Sequence, residues 1–425
     1  MGNTAVVVGA GIGGLAAALG LRRIGWEVTV VERARILDDA GAGISLAANG
    51  VRALDALGVG TEVRAAARGQ YTGGTRTPGG SWLARMDGTA LERALGTPIV
   101  GIPRATLHRI LRAALPPETL TIGAELTGLD HSSLSPDRVR VHLRTRAAEG
   151  SPATESHLDA DLVVAADGVN SRVRALLFPE HPGPAHSGST VLRAVTDRPL
   201  DLPTDFEITW GRGAEFGHIA FEDGRAEWHA VLNSPPGIRH ADPLAVIRGR
   251  FRGWHRPIPD LLDATRPEAV LHHDIHELVT PLPSFASGRV ALLGDAAHAM
   301  TPNLGQGACQ ALEDAVVLAA CLARHDRTAD TADTDSTDST DSTGVLAALA
   351  SYDAERRPRA QAVTVAARRA GRMGQQLSHP AAVALRNAAL RLAPSGAAVR
   401  MILRHADWTP PSLPQPSARD GRSVE

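Results

Sequence analysis

Apolar residues in this chain fall in short runs, each closed by a glycine-rich or polar turn. Residues 5–8 make the first run. Gly9-Ala10-Gly11-Ile12-Gly13-Gly14 follows, and then residues 15–24, whose leucines and alanines predict a helix. A second run, 28–31, ends in Glu32. Run, glycine turn, helix and run predict a parallel β-α-β unit, because consecutive parallel strands need a crossover helix. The pattern recurs in parts downstream. Residues 161–174 read DLVVAADGVNSRVR, an apolar strand followed by Asp167-Gly168, Ser171 and Arg174. Residues 290–293 are apolar and lead into Gly294-Asp295. The turn Pro302-Asn303-Leu304-Gly305-Gln306-Gly307 then opens an alanine-rich helix.

Between residues 183 and 269 the period changes to two. Residues 207–210, 216–221 and 227–232 alternate, and Glu222-Asp223-Gly224-Arg225 lies between the last two as a hairpin turn. Helical patterning returns over 345–376 and 380–404, divided near Ser378-His379-Pro380. These segments predict an α/β fold. A Rossmann-like dinucleotide-binding domain is assembled from residues 1–70, 98–182 and 270–324. Residues 71–97 and 183–269 form an inserted, mostly antiparallel β-sheet that roofs the site as a substrate domain. Residues 345–405 are C-terminal helices. Residues 325–344, with a repeated Asp-Ser-Thr unit, predict a disordered loop, and 406–425 a flexible tail.

The turns carry the candidate chemistry. Gly9 permits the tight turn, Gly11 lets backbone approach a pyrophosphate, and Gly14 lets helix pack on strand. Glu32, about 20 residues on, is placed for a ribose hydroxyl pair. Asp295 can accept bonds from sugar-type hydroxyls, and the helix after Gly307 offers free N–H groups to negative charge.

Composition narrows the function. A formal net charge of -2 gives no case for nucleic acid or an anionic membrane. No apolar run reaches the ~18–20 residues of a transmembrane helix. The first strand begins too early for a signal peptide, and Val6 stands where a myristoylation signal needs Ser or Thr, so a cytoplasmic enzyme is expected. All 44 basic residues are arginine, which excludes Schiff-base, lysine-bound PLP and P-loop lysine chemistry. Cys309 and Cys321 fall on one helix about 18 Å apart, too far for a disulfide. His272-His273-Asp274-Ile275-His276 reads as a strand entering the nucleotide domain, not as a metal site. The acids of 326–344 lack the glycine and terminal glutamate of an EF-hand loop. No metal site is predicted.

With the three motifs in this order, the chain resembles the single-component FAD-dependent aromatic hydroxylases, the group A flavoprotein monooxygenases with a para-hydroxybenzoate hydroxylase-like fold. Gly101-Ile102-Pro103-Arg104 with Leu107 and Leu111, and Tyr352-Asp353-Ala354-Glu355-Arg356-Arg357-Pro358-Arg359, are two further matches, so that the resemblance spans residues 4–375. It implies FAD held by Gly9, Gly11, Ile12, Gly13, Gly14, Glu32, Arg33, Arg104, Asp167, Asp295, Gly305, Gln306 and Gly307. It implies a catalytic turn acting through the Pro302 backbone with Gly305 and Gly307. NADPH or NADH would bind transiently. With O2, the enzyme would hydroxylate or epoxidise an aromatic or other electron-rich small molecule through a flavin C4a-hydroperoxide, as a monomer or homodimer. The arginine-only, Ala/Gly-rich composition suggests a secondary-metabolite enzyme.

Glu215, Glu227, His229 and Pro302 are the candidate substrate contacts. The glutamates would disfavour a carboxylate substrate, unless they simply lie on the open side of a half-exposed sheet. His298 reads as an orienting or structural residue, and Ala48 stands where relatives carry proline. A flavin reductase or dehydrogenase of the same fold, or a non-enzymatic flavin-binding regulator, stays open. Halogenation is disfavoured by the lack of a Trp-x-Trp-x-Ile segment.

Overall fold

The computed structural model describes residues 3–37, 42–131, 137–146, 153–331, 340–394 and 396–414. Thr4–Val8, helix Ile12–Arg23 and Glu27–Glu32 form the expected β-α-β unit. Their sheet has six strands in the order Ala286–Ser287, Val290–Leu292, Leu162–Ala165, Thr4–Val8, Glu27–Glu32, Leu120–Ile122. All neighbours are parallel except the first pair. The three motif-bearing strands, far apart in sequence, are thus side by side at the centre. Being covered on both faces, they are apolar throughout rather than alternating: Val7, Val30, Val163, Val164, Ala291 and Leu292 are fully buried.

Helix Gly307–Thr331 packs across Ile12–Arg23. Gly20 permits the approach, since a Cβ there would lie 3.1 Å from the Ala319 Cβ and 3.2 Å from the Ala315 oxygen. Two smaller sheets join this body. Gly43–Leu46, Val100–Pro103 and Arg68–Gly69 form one; Ala124–His131, Val139–Arg146 and Ala153–Ala160 form an antiparallel other.

The inserted sheet has seven strands, ordered Leu271–Glu277, Ala185–Val195, Ala226–Asn233, Ala214–Ala220, Phe206–Trp210, Gly73–Arg76, Trp82–Arg85. It is antiparallel but for the pairing of Phe206–Trp210 with Gly73–Arg76. One face carries Leu192, Ala194, Phe216, Trp228 and Ala230 against helices Pro243–Arg250 and Ile258–Asp263, a second core in its own right. The hairpin turn at 222–225 lies where the alternation placed it.

Several boundaries move. Leu271–Glu277, with its three histidines, is an edge strand of the inserted sheet and not an entry into the nucleotide domain; its partner is Ala185–Val195. No metal-ligating cluster occurs among the described residues. The segment expected to be a loop at 325–344 is helical at both ends: one helix runs to Thr331 and the next, Thr340–Met373, starts within the Asp-Ser-Thr repeat. The rest of that expectation, 332–339, lies outside the described residues. The predicted helix 380–404 is two, Pro380–Leu392 and Ala397–Ala406, interrupted at a Pro-Ser-Gly sequence that favours a turn. The supposed tail is tied down at its start, where Arg52 donates to the Trp408 oxygen at 2.9 Å and Trp408 and Leu413 pack on the main core. Residues 415–425 lie outside the described ones. No described helix is long and apolar enough to cross a membrane.

Candidate active site

The glycine turn after the first strand is shaped by contacts only glycine permits. Gly9 adopts φ +104°, and a Cβ there would meet the Ala166 oxygen at 2.4 Å. A Cβ on Gly14 would lie 1.9 Å from the Gly9 oxygen. Gly11 is different: nothing lies within 4 Å of its Cβ position, so its role is to leave room in front of the helix. Ile12–Arg23 has no side-chain cap, and its first N–H groups remain free for an anion. Glu32 holds the turn in shape. Its two oxygens accept from the Ala10 and Ala34 N–H groups at 2.9 and 2.8 Å, and His108 bonds the Ala10 oxygen at 2.7 Å. Each Glu32 oxygen keeps a lone pair for a ribose hydroxyl. Arg33 beside it is exposed.

Asp167 is spent on the chain itself. It accepts from the Ser171 hydroxyl at 2.5 Å and from the Arg172 and Val173 N–H groups at 2.7 and 3.1 Å, while Ser171 caps helix Arg172–Leu177. Arg174 turns inward to the Val169 and Ala296 oxygens. The Asp-Gly motif therefore serves to fix the loop against which Gly9 packs.

Beyond Val290–Leu292, Gly294 takes φ +59° and Asp295 begins a short helical turn. Asp295 is crowded by protein yet its side chain stays accessible, as in the wall of a recess. Crowding pushes its carboxyl up, against the lowering effect of His298, Arg104 and Arg174. Arg104, at the end of Val100–Pro103, shares this recess. Desolvation and Arg193 lower its pKa, while Asp295 raises it. The turn Pro302–Leu304 ends at Gly305, φ +62°, and neither Gly305 nor Gly307 has an atom within 4 Å of its Cβ position. Open space at Gly11, Gly305 and Gly307, with Glu32, Asp295 and Arg104 around it, fits an extended dinucleotide with a sugar-alcohol chain.

What supports this turn was not legible as chemistry. The Gln306 side-chain oxygen is engaged from within the protein: it accepts from Asn49 at 2.8 Å and from Gln310 at 3.3 Å. Asn49 also donates to Glu313 at 2.7 Å. Asp314 accepts from the Gly294 N–H at 2.9 Å, bonds His298 at 2.6 Å and receives Arg356 at 2.7 Å. Arg356 and Arg359 both bind Glu313. Glu313, Asp314 and Arg356 are fully buried. Burial would raise the Asp314 carboxyl, but His298, Arg356 and the Gly294 N–H outweigh it and bring it to about 2. His298 thus orients the Gly-Asp turn from below. Ala48 opens helix Ala48–Leu57 at its first position, where proline also fits, so that departure leaves Asn49 in place. Cys309, buried with its thiol pushed up to about 12, behaves as a small apolar side chain.

The inserted sheet turns its second face to the recess. Glu227 sits against Gly43, where a Cβ would come within 2.7 Å of the Glu227 Cβ, and a Cβ on Gly101 would lie 2.5 Å from the Ile219 Cγ2. Glu215, His229 and Arg193 share that face by register. The alternative of surface glutamates fails: Glu215 and Glu227 are 5% and 2% exposed.

The comparisons identify the assembly. A family model described as FAD binding domain matches residues 3–367. The chain is 39% identical over 324 residues to an aurachin C monooxygenase/isomerase of Stigmatella aurantiaca, covering 76% of this chain and 81% of that one. It belongs to the FAD-dependent aromatic hydroxylases. A 2-heptyl-3-hydroxy-4(1H)-quinolone synthase of Pseudomonas aeruginosa is 32% identical and matches almost end to end, over 94% and 96% of the two chains. The structure of Klebsiella pneumoniae HpxO with FAD and uric acid superposes with a TM-score of 0.80 at 26% identity, over 95% and 96% of the chains. This hydroxylase is therefore an FAD-dependent monooxygenase, with NAD(P)H and O2 as co-substrates. Its free Asp295 carboxylate carries a direct prediction. If Asp295 accepts from the cofactor, Asp295→Ala should weaken FAD binding by roughly tenfold or more, read by flavin fluorescence on dialysis. Unchanged affinity would remove Asp295 from the cofactor site.

Proposed function

We propose that this hydroxylase inserts oxygen into a small, neutral, electron-rich ring bound between the Pro302–Gly307 turn and the face of the inserted sheet bearing Glu215, Glu227 and His229. The observation that carries the reading is the burial of two carboxylates on that face, which makes a pocket costly for an anionic carboxylate ligand. Relatives are named for oxygenated nitrogen rings, a quinolone, urate and 6-hydroxynicotinate; the last carries a carboxylate, which the buried Glu215 and Glu227 of this chain would disfavour. Gly9, Gly11, Ile12, Gly13, Gly14 and Glu32 would hold the adenosine and pyrophosphate, Arg104 and Asp295 the flavin and its ribityl chain. Pro302, Gly305 and Gly307 would lie against the flavin ring. Bound FAD supplies oxygen activation. The protein supplies a dry roof, a helix start that favours negative charge near the turn, and the orientation of the ring. Arg33 and Asp167 would contribute at the rim and through backbone, respectively.

We place the enzyme in the cytoplasm, as a monomer or homodimer, which light scattering resolves. NADPH or NADH oxidation should accelerate in air when the FAD-loaded protein meets its substrate among phenols, indoles, quinolones and polyenes, with a product heavier by one oxygen atom. Failure of every ring in such a panel to gain oxygen, with peroxide as the sole product, would sink this reading.

A further inference from the structure

The sheet face above the recess bears a polarised row of charged side chains. Glu215, on Ala214–Ala220, keeps one oxygen on the Trp210 indole N–H at 2.7 Å. Its other oxygen stands 3.8 Å from His229 Nε2, beyond hydrogen-bond range. His229 Nδ1 lies 3.2 Å from Glu227, and the ring keeps 19% of its side-chain surface accessible. Gly217 makes space for it, since a Cβ there would come within 2.3 Å of Nε2. Directly across the next strand pair stands Arg193, whose Nε is buried without a partner among the described residues. Arg193 also depresses Arg104, which in turn is influenced by Asp295. Arg193 is therefore on the Arg104 side of the row. Glu215 lies across the sheet from it, beside Trp210, which packs by Gly374 just past the end of helix Thr340–Met373.

The row thus offers a cation with an unused donor at one end and a carboxylate with an unused oxygen at the other. Desolvation opposes charge on His229, but Glu227 and then Glu215 outweigh it and raise its pKa, with Arg193 acting against them and His218 approaching from the other face. Glu215 itself is raised by burial, against His229 and Trp210. A ligand carboxylate at the Glu215 end would meet a second buried carboxylate. A ligand N–H there would meet an acceptor that lacks a donor.

Building on the function proposed above, we propose that this row reads a neutral vinylogous amide ring, its N–H on Glu215 and its carbonyl toward Arg193. Such a ring carries its donor and acceptor on opposite sides, matching the two signs of the row. Glu227 keeps His229 in register beneath it.

The test is binding to the oxidised FAD enzyme, followed by the flavin spectrum, with 4(1H)-quinolone, its N-methyl derivative and its 2-carboxylate. The parent should bind at least ~10-fold tighter than either derivative, about 1.4 kcal/mol. Glu215→Gln keeps the acceptor for Trp210 but turns an amide N–H₂ toward the ligand, and should erase the preference for N–H over N-methyl. If that variant loses flavin, 4-methoxyquinoline, which keeps the oxygen but has no ring N–H at pH 8, should bind the native enzyme at least ~10-fold more weakly than the parent, and equal or tighter binding would overturn the proposal. Equal affinities for the three probes, tighter binding of the carboxylate, no binding of the parent, or an unchanged preference in Glu215→Gln would each overturn the proposal. Oxygen insertion is scored separately: binding with the stated preferences but no oxygenated product from any ring would count against the proposed function alone.

Discussion

Gly14→Ala should yield a colourless protein. The added methyl would sit 1.9 Å from the Gly9 oxygen and 3.3 Å from the Ala166 Cβ. The near atom is backbone, so relief requires helix Ile12–Arg23 to lift from the strand it follows. That movement displaces the free N–H groups from where a pyrophosphate would lie, and Glu32 is tied to the same turn through Ala10. Overpacking alone costs ~1–3 kcal/mol, and loss of the cofactor site adds to it. Absorbance near the flavin band after purification, with circular dichroism as a check on folding, measures the outcome. Gly25→Ala is the control: it has φ +90° but no atom within 4 Å, so only backbone strain of ~1–2 kcal/mol is expected, with flavin retained. A yellow, stoichiometrically loaded Gly14→Ala protein would show that the cofactor does not lie where this turn places it.

Removal of Arg356 should be the most destabilising single change in the C-terminal half. Arg356→Met leaves Glu313 and Asp314 buried with one of their cations gone, and breaking a buried pair in this way costs ~3–5 kcal/mol. Arg359 still reaches Glu313 at 2.7 and 2.8 Å, so Asp314 is the more exposed to the loss. Because Asp314 also holds Gly294 and His298, flavin affinity should fall along with urea stability. A stability loss under about 1 kcal/mol would mean the network is not the brace described here.

Asp314 adds a pH signature. Its carboxyl titrates at about 2 in the folded protein, below the ~3.9 of an unfolded aspartate. The unfolded chain therefore binds the proton first. The contribution is complete above about pH 4 and is lost as pH falls toward about 2. Acid titration of Arg356→Met, where Asp314 loses one depressing cation, should show part of that loss at higher pH than in the native protein.

Much of this was legible because it is local. A strand, a glycine turn and a helix follow one another within a few tens of residues, and glycines at 9 and 14 announce backbone contacts that no other residue allows. The alternation at 207–232 likewise declared a sheet with two unlike faces, since successive side chains point opposite ways. Boundaries were less secure. Leu271–Glu277 belongs to the inserted sheet because Ala185–Val195 offers it an edge 80 or so residues earlier in the chain, and that partner does not show in the segment itself. The Asp-Ser-Thr repeat at 340–344 is helical because it extends a long helix that packs across Gly307–Thr331, a tertiary gain that local propensity does not count.

The sequence by itself determined the nucleotide-binding turns, the order of the three motif strands and the family chemistry they imply, because each is written in a contiguous stretch of backbone requirements. The tertiary structure alone decided which polar side chains are available. It engaged the Gln306 side-chain oxygen, Asp167 and His298 from within the protein to hold the turns, and drew Arg356 from far along the chain onto Glu313 and Asp314. It also buried Glu215 and Glu227 over the recess. The physical reason is that a charged or amide side chain is free or committed according to what packs against it, and those partners come from remote segments.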